Sequence, residues 1–493
     1  MKPASPVIFV VICFFFTSTA QATEVRLEPV DEEELEEDEE EARVGTEFRF
    51  GSYGRVRAAT DLRGSTARPT NVVSFGSRID ERSYAELEFQ QRFFRPDDEP
   101  DFSSEIVATL GFLDDFFHST GEFDQSIAVR NLYATANWHA DFGDVDIWAG
   151  SRMARGDDIY LLDFWPLDNL NTVGGGAGIS FDGPTGPTNL RFLAGANRLE
   201  DDFQQQVIDV PGLEMGVDQV PFMDRQRLIF AGRAEQQLLI DDERRGLKAV
   251  LYGESHQLPQ AQRRSDGTMT EEGFVDETLP ADSGWLLGGQ LGLWEASGGT
   301  FDGSFVNLFA RYAADLAAYG ELGIPFGVNV EETAEGASDL LGGLAATAES
   351  PWGHATVGSY VRSFQTAQDV ESHRDYREAI FATRLHAYAT DHFHPGVEFS
   401  HQVRLPRGPY PQADDDYDRP QQQAPTVTKI SLIPAVTLEP EAYSRPQLRF
   451  IYTASFLNDS AQQLYHDDDL RRDYSTHHYL GVMAEWWFNS ASY

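Results

Sequence analysis

The stretch "DIWAGSRMARGDDIYLLDFWPLDN", Asp146–Asn169, begins as a β-strand and then loads acids, an arginine and aromatic rings into a segment with the polarity of a loop. Counted from Val145, the side chains of Val145, Ile147 and Ala149 share one face, and those of Asp146, Trp148, Gly150 and Arg152 share the other. A strand turns successive side chains to opposite faces, so one face here is apolar and the other is not. Which face meets water depends on the compartment that the chain enters.

The N-terminus addresses that. Lys2 is followed by the apolar block "VIFVVICFFF", Val7–Phe16, and then by Ala20-Gln21-Ala22, which has the small-x-small form of a cleavage site. Residues 1–22 read as a signal peptide cut after Ala22, which predicts an exported protein. A block of roughly ten residues is about half of the ~20 needed to span a bilayer as a helix. The single cysteine, Cys13, lies inside this block with no lipobox-like residues before it, so the mature chain carries no thiol. Disulfides, thiol catalysis and cysteine metal sites are excluded together.

The chain has 38 basic and 80 acidic residues, a net charge of −42, and no basic stripe that could meet phosphates. Nucleic-acid binding is excluded on that ground. Part of the charge lies in "DEEELEEDEEEA", Asp31–Ala42. Residues 23–45 therefore read as an acidic, self-repelling periplasmic segment, with cation binding as the second reading.

From Phe48 onward the dominant period is two. "FRFGSYGRVR" sets Phe48, Phe50 and Val56 against Arg49, Tyr53, Arg55 and Arg57; "SYAELEFQ" sets Ala85, Leu87 and Phe89 against Tyr84, Glu86, Glu88 and Gln90. "QLRFIYTASF" lines up Leu448, Phe450, Tyr452, Ala454 and Phe456 against Arg449, Thr453 and Ser455. A soluble β-sandwich also alternates. The export signal, the absence of thiols, the length and the long polar excursions favour a transmembrane β-barrel, because only helices and closed barrels satisfy the backbone in a bilayer. Ser255–Gly284 and Arg404–Thr428 read as external loops, and residues 46–493 accommodate about 16 to 18 strands of about ten residues. The last of these, "YLGVMAEWWF", sets Leu480, Val482, Ala484, Trp486 and Phe488 outward and Tyr479, Met483, Glu485 and Trp487 inward, with "NSASY" trailing after it.

The opening stretch resembles the maltoporin family, the sugar-specific outer-membrane porins. There a strand ending in Trp-Ala-Gly-x-Arg feeds a loop with a spaced pair of aspartates, as in "IWAGSRMARGDDIYLLDFWPLD". "GSYGRVR" is similar to the family's first strand, "SYAELEFQQ" to its second or third and "AEWWF" to its last, while "GWLLGGQLGLW", "GSFVNLFARYAAD" and "TRLHAYATD" match more weakly. The resemblance implies an all-β fold: an 18-stranded antiparallel barrel with short periplasmic turns, long external loops and a constriction loop around residues 153–178. It implies a homotrimer in the outer membrane of a Gram-negative bacterium, passing maltooligosaccharide-like carbohydrates along a ladder of rings flanked by charges.

Carried over by position, the ladder residues are Tyr53, Tyr84 and Trp487, with Phe305 and Tyr388 as further matches. The polar track is Arg55, Arg78, Glu86, Arg130, Asp158 and Asp163, with Trp165 beside the loop aspartates. Three departures stand out. A loop arginine of the family pattern coincides with Gly156, next to Arg155. The aromatic contributed by a neighbouring subunit has only Phe116 and Phe117 as nearby candidates. By parity Arg130 falls with Leu132 and Trp138, so the strand breaks there or Arg130 sits at a loop edge. The chemistry of such a set is sensible: a pyranose offers an apolar face to a ring and a rim of hydroxyls to carboxylates and guanidiniums.

No catalytic constellation or cofactor motif appears; "GGGAG", Gly174–Gly178, reads as a turn, and the histidines of "HFH" (His392, His394) and "HH" (His477, His478) as polar surface rather than metal ligands. A general or cation-selective porin and a loop-displaying adhesion protein are the alternative functions.

Overall fold

The structure is a computed structural model that describes residues 44–95, 101–113, 127–211, 216–240, 244–270, 273–295, 302–408, 424–466 and 468–490. The expected signal peptide, the acidic run, Phe116, Phe117 and Tyr493 lie outside them.

Eighteen strands form one closed antiparallel barrel. They are β1 (Gly45–Thr60), β2 (Tyr84–Phe94), β3 (Phe102–Leu113), β4 (Ala128–Ala140), β5 (Gly143–Arg155) and β6 (Asn169–Gly183). Next come β7 (Gly186–Asn197), β8 (Arg227–Ile240), β9 (Arg245–Leu258), β10 (Asp282–Glu295), β11 (Ser304–Asp315) and β12 (Ser338–Ser350). The wall is completed by β13 (Gly353–Gln365), β14 (Tyr376–Ala387), β15 (Gly396–Pro406), β16 (Thr426–Leu432), β17 (Gln447–Leu457) and β18 (Thr476–Phe488). β18 pairs back onto β1, with Tyr53 opposite Trp487, so the barrel itself has no open edge. At one end the connections are as short as 141–142, 184–185 and 351–352; at the other they include 61–83, 156–168, 198–226, 259–281, 316–337 and 458–475.

The alternation sorts polarity inside out. Phe48 is 61% exposed and Val482 56%, whereas Glu88 of the opposite parity is fully buried. An apolar outer belt suits hydrocarbon, and the polar groups it excludes must find partners across the lumen. Lys429 Nζ lies 2.7 Å from Asp80, and Arg384 lies 2.7 Å from Glu398.

One local expectation is corrected and another is made specific. Gly174–Gly178 is not a turn; it lies in the middle of β6. A Cβ on Gly176 would sit 2.5 Å from the Trp148 indole nitrogen, and one on Gly178 would sit 2.2 Å from the Asp146 carboxylate, so the glycines clear space for the lumen side chains of β5. Of the two expectations for Arg130, the break in regular pairing is the one found, and it lies within β4. Opposite β3, Asn131 pairs with Thr109 and Val129 with Leu110, leaving Arg130 as the extra residue of a β-bulge. The bulge resets the parity and turns its guanidinium onto Tyr84, 5.7 Å from the ring centre, and to within 3.8 Å of Glu86.

Candidate functional site

The loop between β5 and β6, residues 156–168, crosses the lumen because half of it is apolar. Ile159, Leu161, Leu162, Phe164 and Leu167 are all buried. They seat on walls cleared by glycine: a Cβ on Gly358 would lie 2.9 Å from Ile159 and 3.2 Å from Leu161, and one on Gly288 would lie 2.6 Å from Leu167. The polar half is tied to opposite walls. Asp163 accepts from Arg55 Nη1 at 3.0 Å, Asp157 accepts from Lys248 and Gln290 at 2.7 Å each, and Asp168 accepts from Arg233 at 2.7 Å. The mixture in the opening stretch is thus an inward-folding loop with one side for the barrel wall and one for the pore. Gly156 is part of the fit, since a Cβ there would meet Asp168 at 2.0 Å and Arg233 at 2.4 Å. No arginine can occupy that position in this arrangement; Arg155 instead lays its guanidinium 3.9 Å from the centre of the Trp165 ring.

A second connection, residues 61–83, also turns inward, which the sequence reading did not foresee. Its Phe75 stacks on Phe164 at 3.9 Å, and the Ser74 and Phe75 amides donate to Glu378 and to the Tyr360 hydroxyl. This places Arg78 in the pore.

Between the two loops lies a cavity of ≈ 420 Å³ lined by Tyr53, Arg78, Asp157, Asp158, Tyr160, Asp163, Trp165, Tyr443 and Trp487. Tyr160 meets Tyr443 edge-on at 5.4 Å and Trp487 at 6.3 Å, and Tyr443 stacks toward Phe305 at 6.3 Å. Tyr53 and Tyr84 lie 6.0 Å apart at the other side. At the floor is a charge hub: Glu485 receives Arg78 at 3.0 Å, Arg445 at 2.9 Å and Arg449 at 2.6 Å, and Tyr160 donates to it at 3.1 Å. Arg78 also donates to the Tyr53 hydroxyl at 2.7 Å and lies 4.4 Å from the centre of the Tyr160 ring. These bonds hold the rings in place.

The two loop aspartates differ. Burial works against the Asp163 carboxylate, but Arg78 and Arg55 outweigh it and hold its pKa below the usual carboxylate range. Among the described residues no other residue is hydrogen-bonded or ion-paired to the Asp158 carboxylate, which has its own backbone amide beside it. Burial, with Asp163 and Asp157 nearby, pushes it up to about 6 against the opposing pull of Arg78.

Tyr53, Arg78, Asp158, Asp163, Trp165 and Trp487 therefore share one cavity, while Phe305 touches it through Tyr443. Arg55 supports it through Asp163, and Tyr84, Glu86 and Arg130 form a neighbouring group in which the Tyr84 hydroxyl donates to Glu86. Tyr388 lies beyond β14, at the short-turn end, 2.9 Å from His354 and bonded to Glu349. His394 is fully buried against Tyr388 rather than on the surface. Tyr160, Tyr443, Arg445 and the hub role of Glu485 were missed. The loop tyrosine and the connection before β17 carry no alternation, and only the inward parity of Glu485 was legible.

No curated protein matches the chain in sequence. Among solved structures it is similar to Salmonella typhi OmpF in complex with daunomycin (9% identity, TM-score 0.37, covering 90% of this chain and 97% of that one). It is also similar to Pseudomonas putida OprB (10%, 0.35, 90% and 94%) and to a BenF-like porin from Pseudomonas fluorescens (8%, 0.39, 90% and 98%). The sequence model of the LamB porin family matches residues 48–488, which span the barrel from β1 to the end of β18. The chain is a member of the LamB porin family, an outer-membrane channel and not an enzyme.

Proposed function

We propose that this channel passes neutral sugars of the maltooligosaccharide class by facilitated diffusion, as a homotrimer exported by its signal peptide. The observation that carries the reading is the constriction cavity, where the rings of Tyr160, Tyr443 and Trp487 stand beside the unpaired Asp158 carboxylate. Rings can take the apolar face of a pyranose, and a carboxylate with open lone pairs can accept from its hydroxyls. Several weak contacts in series let a solute enter without being trapped. The test is current-noise titration of the purified channel in planar bilayers with a panel of oligosaccharides. Saturable, chain-length-dependent block supports the reading. Stepwise conductance without sugar block would make it a general or cation-selective porin, and no conductance at all would leave a loop-displaying protein.

A further inference from the structure

A second cavity, of ≈ 130 Å³, opens in the lumen wall beside the constriction loop and is lined by Tyr133, Asp146, Trp148, Arg152, Arg155, Asp168, Arg191, Arg233 and Tyr252 among others. It reaches Asp146 and Arg191, near the short turns 141–142 and 184–185. Its charge is opposite to that of the chain, with four arginines facing two aspartates. One of those acids, Asp168, is taken by Arg233 at 2.7 Å.

Several lumen arginines elsewhere in the barrel are neutralised. Arg78, Arg311, Arg362, Arg384 and Arg449 each have a carboxylate within 3.0 Å. Arg152 and Arg191 are not: among the described residues neither is ion-paired. Arg152 is nonetheless held in place, its guanidinium 4.8 Å from the centre of the Tyr133 ring and 5.3 Å from that of Trp148. Stacking fixes the plane of a guanidinium and leaves its edge of N–H donors free for a bidentate acceptor. Arg191 is exposed on the lumen face of β7. The β6 glycines give their space to Trp148 and Asp146, and Arg152 and Arg191 both line the cavity that remains.

We propose that Arg152 and Arg191 form an anion-selective subsite that takes the carboxylate or phosphate of a small acidic solute such as a sugar acid. The proposal requires that the chain be a channel, and it does not depend on passage of neutral sugars.

The test uses the full-length channel in planar bilayers at low salt, with galacturonate, galactose and acetate as probes. The pair galacturonate and galactose differs by the carboxylate alone. Galacturonate should bind more tightly than galactose, and Arg152→Gln and Arg191→Gln should each weaken it by about tenfold or more, the range for losing a charged hydrogen bond, with galactose unchanged. Arg191→Lys should recover part of the loss. Acetate competing with galacturonate in the wild type but not in Arg191→Gln supports recognition of the anionic group itself, free or on a ring. Equal weakening of galactose and galacturonate, or undiminished galacturonate binding in the double variant, overturns the proposal. Failure of every neutral sugar to block while galacturonate still does would overturn the neutral-sugar reading and leave this one standing.

Discussion

Two cavities of the same lumen are built from the same residue types in opposite proportion. At the constriction Asp157, Asp158 and Asp163 face Arg78 beside Tyr160, Tyr443 and Trp487; in the wall Arg152, Arg155, Arg191 and Arg233 face Asp146 and Asp168 beside Tyr133 and Trp148. The net charge of −42 agrees in sign with the first and not with the second. A narrow channel with low-dielectric walls focuses the field of the charges that line it, so a solute senses the nearest few groups more than the total. The comparison also separates two ways of using an arginine. At the constriction arginines are tied to Glu485 and hold rings in place, whereas in the wall cavity Arg152 is held by rings and presents its charge.

The strongest way to break this contrast is Glu485→Gln. The change leaves Arg78, Arg445 and Arg449 around a group that no longer neutralises them, and removing one partner of a buried ion pair costs about 3 to 5 kcal/mol. The heat-denaturation midpoint should fall and neutral-sugar block should be lost with the ring geometry, while the Arg191-dependent galacturonate response persists. A variant as stable as the wild type, with sugar block intact, would show that the hub does not hold the constriction.

Next in size is Trp487→Ala. Loss of a stacking surface should weaken oligosaccharide block by about 1 to 3 kcal/mol, by analogy with other ring-shaped ligands, which is roughly five- to a hundredfold in affinity. Small-ion conductance should stay equal or rise. Tyr84→Ala should have the smaller effect on sugar, because Tyr84 touches Tyr53 and Arg130 and lies outside the cavity formed with Tyr443 and Trp487. Block undiminished in both variants would remove the case for a ring ladder.

A smaller effect sharpens the charge side. Asp158→Asn removes an unpaired carboxylate, and a unit charge about 4 Å away in water is worth about 1 kcal/mol, roughly a fivefold change in local cation density. Cation preference, read as a reversal potential in a salt gradient, should fall. Asp163→Asn should change it less, because Arg55 and Arg78 already offset that charge; its larger consequence should be a loosened loop. Equal shifts in the two variants would mean that the pairing of Asp163 does not screen it from the pore.

The smallest effect needs no mutation. With its pKa pushed up to about 6, the Asp158 carboxylate is charged above that pH and neutral below it. Cation preference should therefore decline as pH falls from 7 to 5, before ordinary carboxylates titrate, and Asp158→Asn should flatten that part of the curve. A decline preserved in the variant would assign the titration to another group.

Much of this was legible in the chain. Alternation placed Tyr53, Tyr84, Glu86 and Trp487 on the inner face, and the acids and rings of residues 157–165 marked the loop between β5 and β6. One reading failed where a local rule met a neighbour. "GGGAG" has the composition of a turn, yet β6 uses it as a strand because Trp148 and Asp146 need the room. The odd parity of Arg130 did signal an irregularity, and only the structure shows it to be a single bulged residue.

The boundary follows from range. Alternating polarity is a property of adjacent residues, so the sequence by itself determined which side chains face lipid and which face the lumen, and with closure the barrel. Which lumen residues meet is decided by contacts across the ring, such as Tyr160 with Glu485, 325 positions apart, and Phe75 with Phe164. Whether an aspartate or arginine stays unpaired depends on where an inward loop comes to rest, and that is set by the walls that Gly288 and Gly358 leave open to Leu167 and Ile159. No spacing along the chain encodes such a seat, because it exists only once distant strands have been brought side by side.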